Sequence, residues 1–120
     1  MPLLAGAGGK VLLSLLPDAE IEGILSENRL KKFTPFSCVN KKAYMDMIKK
    51  ARQQKFAFDD EEYMEGLRAF AAPLHLHQEN LRACIWVVGS TSQIREEALP
   101  FFRSMMRGVV RRIETRLSPQ

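Results

Sequence analysis

The chain has 120 residues, 46% hydrophobic and 27% charged, with a net charge of +4. That is one domain's worth of sequence, long enough to bury a core without disulfides or metals, and its balance excludes wholesale disorder. Two distant cysteines, Cys38 and Cys84, exclude a disulfide framework or a zinc knuckle, and apolar runs such as "ACIWVV" are too short to span a bilayer. No cationic segment precedes the first apolar residues, so no signal peptide is read and the cytoplasm is the expected compartment. The pairs Lys31-Lys32, Lys41-Lys42 and Lys49-Lys50 are scattered and lack interleaved aromatics, which favours solvated faces over a nucleic-acid surface.

In chain order, "GAGG" precedes an apolar run, and Lys10 to Leu16 read as a first helix. Pro17 suits the first turn of a second helix, with Asp18 and Glu20 favoured by its dipole and Ile21, Ile24 and Leu25 on its apolar face. "KKFTPFSCVN" reads as a loop, and Asn40 as the N-cap of an amphipathic helix carrying Tyr44, Met47, Ile48 and Ala51. "KFAF" predicts a short strand leading into four acids, Asp59 to Glu62. "LRAFAAPLHL" and "NLRACIWVV" then predict a hairpin around "HQEN". Period two places Leu67, Ala69 and Ala71 opposite Arg68, Phe70 and Ala72, and Trp86 and Val88 opposite Ile85 and Val87.

After a "GSTSQIR" turn comes a long helix striped by Leu99, Phe102, Met106, Val109, Ile113 and Leu117. Pro100 leaves its start open between N1 and a first turn near Glu96. Arg103, Arg107 and Arg111 recur every four residues and read as a solvated basic face in preference to an anion- or DNA-binding stripe.

Enzyme chemistry finds little support. If the acidic block is extended, Asp59 and Glu61 face one way and Asp60 and Glu62 the other, so neighbouring acids make no catalytic pair. His75 and His77 could share a metal, but at a hairpin end they read as surface histidines. "GAGGK" lacks the phosphate-loop spacing. Its small residues could present helix N–H groups to an anion or let helix and sheet pack closely, and both readings stand. No catalytic residue, metal or cofactor is expected.

"GAGGKVLLSLLPDAEIEGIL", "FAFDDEEYMEGLRAFAAPL" and "VVGSTSQIREEALPFFRSMMRGVVRRIETRL" together resemble the effector-binding domain of IclR-type transcriptional regulators, in order and spacing from about Leu3 to Leu117. The resemblance implies an α+β fold like GAF and profilin modules: a curved antiparallel sheet flanked by helices, ending in a long C-terminal helix. It implies a bacterial-type regulator whose small-molecule effector, anionic or aromatic, binds over the sheet. Homodimers or tetramers are implied, with no membrane partner. Operator DNA would be bound only through a separate winged helix-turn-helix. Residues 1–120 would then be one effector-binding domain lacking that DNA-binding part and the domain's first elements, as in a fragment or truncated product, and an exposed sheet edge would favour pairing with another copy.

The family's ligand-facing places fall on Ala7, Gly8, Asp59, Leu67, Ala69, Trp86 and Val88. Asp59 is expected to touch the ligand, while Asp60, Glu61 and Glu62 order the loop or face water. Trp86 and Val88 stand where small hydroxyl residues are common, which makes the implied pocket smaller and more apolar. An open pocket would stack an apolar acid on Trp86, with its anionic end at Ala7–Gly8. The alternative is an effector-less dimerisation module plugged by Trp86.

Overall fold

The computed structural model describes residues 3–77 and 81–118. Along the chain run α1 (Gly6–Ser14), α2 (Asp18–Glu27), α3 (Lys41–Gln54), β1 (Ala57–Asp60), β2 (Leu67–Leu74) and β3 (Ala83–Ser90), then a 3-10 turn (Glu96–Ala98) and α4 (Leu99–Arg116). The strands form one antiparallel sheet in the order β1-β2-β3. The expected α+β architecture with a long last helix is therefore present. The "HQEN" turn expected between β2 and β3 lies, apart from His77, outside the described residues.

Period two sorts the sheet's faces as the sequence predicts. Ala57, Ala69 and Ala71 pack with Ala7 and Val11 of α1 and Ala51 of α3, and Cys84 and Trp86 close that cluster. On the other face Phe70 and Ala72 meet Ile94 and Met106, with Ile85, Val87, Phe102 and Val110 around them. Phe70 stacks between Phe56 and Phe102, with ring centroids 5.7 and 5.0 Å away. Burying such a ring contributes about 2–3 kcal/mol. A third cluster, including Leu13, Ile21, Tyr44 and Ile48, holds α1, α2 and α3 to one another.

The helix ends follow their local chemistry. Asn40 caps α3, its side-chain oxygen accepting the Ala43 N–H at 2.9 Å. Lys55 closes α3 in the left-handed conformation at φ 53°. Pro100 stands in the first turn of α4, where its missing N–H costs nothing, and the 3-10 turn precedes it.

Four expectations need correction. The first helix starts at Gly6, not Lys10, because burial of Ala7 and Val11 outweighs the low helix propensity of the glycines. The strand expected over "KFAF" is shifted into the acidic block, ending at Asp60. Pro17 stands at the N-cap of α2 rather than inside its first turn. On α4 the inward stripe is Leu99, Phe102, Met106 and Val110, while Leu117 at the frayed end is exposed.

Candidate functional site

α1 lies across one face of the sheet, and strand register puts the expected strand residues on that face, Ala69 and Trp86 packed toward the helix and Val88 and Leu67 further out. Asp59, Ala69 and Val88 are neighbours across the three strands; Ala57, Ala71 and Trp86 form the next row. Ala7, Ala69 and Asp59 are buried, Leu67 and Trp86 are half-buried, and Val88 is 51% exposed. Leu67 stands one row further out, beside Ser90.

Gly8 and Trp86 make the closest approach. A Cβ on Gly8 would come within 2.5 Å of Trp86 Cε3 and 2.7 Å of Cδ2, so the indole face lies against the first turn of α1. Only glycine permits that contact. A Cβ on Gly9 would collide with the backbone carbonyl of Leu3, so the second glycine serves packing as well. Trp86 Nε1 is buried and finds no hydrogen-bond partner among the described residues. A buried N–H left without an acceptor is costly, and it offers a donor to whatever acceptor reaches it.

Asp59 belongs to a buried charge cluster whose other members sequence reasoning missed. Lys10, 2% exposed, donates to both carboxylate oxygens of Glu62 at 2.6 and 2.8 Å. The same ammonium lies 5.9 Å from the centre of the Tyr44 ring. Asp59 Oδ1 accepts the Glu62 N–H at 2.8 Å. The alternation expected along the acidic block breaks at Glu61, which adopts φ 62° and so swings Glu62 back toward Asp59 and Lys10. Asp60 goes to the opposite face and meets Arg68 Nε at 2.8 Å. Glu62 therefore does not face water. The signal for Lys10 was its spacing: it stands three residues after buried Ala7 and four before buried Ser14, on the inward side of α1.

Burial, above all, holds the carboxyls of Asp59 and Glu62 above their usual values, although Lys10 draws both down. Burial also pushes the Tyr44 phenol well up, helped by Glu62 and Cys38. The acidic turn is latched to the loop between α2 and α3. The Thr34 hydroxyl donates to the Glu61 carbonyl at 2.6 Å, and the Ser37 hydroxyl to the Glu62 carbonyl at 2.5 Å. His75 and His77 fall beyond the end of β2 and are exposed.

These features define a mixed α+β domain with a helix laid over an antiparallel sheet and a polar cluster beneath the middle of that helix. The chain belongs to the family described as bacterial transcriptional regulator IclR C-terminal, which it matches over residues 1–115. It is 31% identical over 106 residues to the HTH-type transcriptional regulator XynR of Escherichia coli K12, covering 88% of this chain and 42% of XynR. The C-terminal domain of the E. coli regulator KdgR is similar with a TM-score of 0.83 and 28% identity, over 97% of this chain and 71% of that one. The inducer-binding domain of PobR from Acinetobacter, solved as a double mutant with 3-hydroxybenzoic acid, has a TM-score of 0.87 at 23% identity, over 95% and 66%. The chain spans less than half the length of the curated relatives it matches, and those relatives are transcriptional regulators rather than enzymes. No described helix is long and apolar enough to cross a membrane.

Proposed function

We propose that this chain is the small-molecule-sensing and self-associating part of a cytoplasmic transcriptional regulator, its effector binding between the start of α1 and the sheet. The observation that carries the reading is the buried Trp86 Nε1, an unused donor on an indole whose six-membered ring lies against Gly8, on the same sheet face as Asp59. An organic acid fits this chemistry: its carboxylate accepts from the indole N–H and the first-turn amides of α1, and an apolar or aromatic body rests on Leu67 and Val88. The aromatic acid held by the PobR domain supports the class, not the compound. Sensing requires tighter binding to one arrangement of the regulator than another, with DNA read by a winged-helix segment outside these residues.

Trp86 is the chain's single tryptophan, so titrating aromatic and 2-oxo acids while following indole emission and melting temperature reads this site directly. At least one acid should shift both, and the melting-temperature shift should vanish in Trp86→Phe, which lacks the N–H. If no acid moves either signal, the effector reading fails.

A second reading has its own observation. The indole packed on Gly8 fills the space where a ligand would enter, as in a plugged dimerisation module. In that case Trp86→Ser, not the parent chain, would acquire acid binding.

A further inference from the structure

We infer that the cleft between the end of α3, the end of β2 and α4 is a second ligand site, taking a small carboxylate with an apolar body. It lies on the α4 face of the sheet, opposite the α1 face that carries Trp86. Its volume is about 440 Å³, within the range of small-molecule pockets. Phe56, Ala72 and Met106 supply an apolar floor drawn from the core. Arg103, Arg107 and Arg111, one turn apart on α4, form one wall.

The charge of this cleft is unbalanced. Four cations line it, Lys55 and the three arginines, against one carboxylate, Glu114. Glu114 stands at the His75 end of the cleft, accepting the His75 backbone N–H at 2.6 Å. Among the described residues none of the three arginines forms an ion pair. Arg103 is half-buried over the Phe56 ring, 5.7 Å from its centroid, which pre-orients one guanidinium at the cleft.

A purely solvated basic face would have neither a concave apolar floor nor an anchored guanidinium. Guanidinium forks match carboxylates bidentately, and the floor offers apolar contact to the rest of the ligand. A neighbouring cavity of about 390 Å³ shares Gln54, Phe56 and Arg103 and leaves room for a longer apolar tail.

The test uses 4-phenylbutyrate, with 4-phenylbutanol as the neutral probe, read by calorimetry and by backbone amide shifts on the whole chain. Binding of the acid should perturb α4 and the end of α3, should exceed that of the alcohol, and should weaken about tenfold in Arg107→Gln/Arg111→Gln. Both arginines are exposed, so the double variant should keep the parent's melting temperature, which is measured alongside. Trp86→Phe should leave this binding unchanged, which separates it from failure or success at the α1 face. Equal affinity for the alcohol, an unchanged affinity in the double arginine variant, or amide shifts confined to α1 would each overturn the assignment.

Discussion

Trp86 and Gly8 form a matched pair, and the match is testable by its sign. In the parent, Gly8→Ala adds a methyl group that the indole must yield to, so the gain in helix propensity, about 1 kcal/mol, is outweighed by overpacking of about 1–3 kcal/mol. In a Trp86→Ser background the clash is gone and the same change should stabilise. A double-mutant cycle by urea unfolding measures the reversal. Lys10 poses the complementary case. Lys10→Met strands the Glu62 carboxylate in the interior and should cost about 3 kcal/mol, while Lys10→Met/Glu62→Gln should recover much of that loss. Asp59 and Glu62 also set an acid-side trend. Their folded values lie above their unfolded ones, so the native state binds protons more tightly, and stability gains as pH falls through the folded values toward the ordinary carboxylate range. Asp59→Asn keeps the oxygen that accepts the Glu62 N–H. It should be more stable than the parent at neutral pH and show a smaller gain on acidification, which urea melts at the two pH values would record.

At the scale of elements, α3 depends most visibly on its ends. Removing the Asn40 cap with Asn40→Ala should lower stability by about 1 kcal/mol, whereas Lys55→Gly relieves a left-handed residue at the other end and should raise it slightly. Thermal unfolding of the two variants checks both signs. This helix was legible because its signals are local: a cap, a run with 3.6 periodicity, and lysines on the far side. The hairpin faces were legible for the same reason, since alternation alone separates Ala69 and Ala71 from Phe70 and Ala72. The start of α1 was not, because glycines near a helix start argue for loop until their packing partners, Leu3 and Trp86, are known. Nor was the turn at Glu61 legible, since nothing in a run of four acids marks which one takes positive φ.

Across the whole molecule, the sheet ends in two free edges among the described residues, and they differ in character. β1 ends in two aspartates, while β3, "ACIWVVGS", carries no charge over eight residues. An uncharged edge of that length is a template for another strand. If the chain self-associates as proposed, β3 is the expected seam, and Val88→Lys should then shift the sedimentation of a concentrated sample toward monomer. The family and its fold were readable because three segments lay in register over nearly the full chain. The side-chain set of the polar cluster was not, since Lys10 and Glu62 meet only after α1 is laid across the sheet, 52 residues apart in sequence. The cleft on the α4 face escaped notice for a related reason. Arginines spaced by four describe a solvated stripe until the end of α3 is placed across a cleft from them.

The latch between the acidic turn and the loop after α2 gives the interior a voice at the surface. Thr34 and Ser37 hold that loop through carbonyls whose own position depends on the Lys10–Glu62 pair. Exposed Lys31 and Lys32 lie just before those two residues, where a trypsin-like protease would cut if the loop swung free. The rate of nicking there should thus follow the state of a charge pair no protease can touch, slow in the parent chain and faster in Lys10→Met before global unfolding sets in.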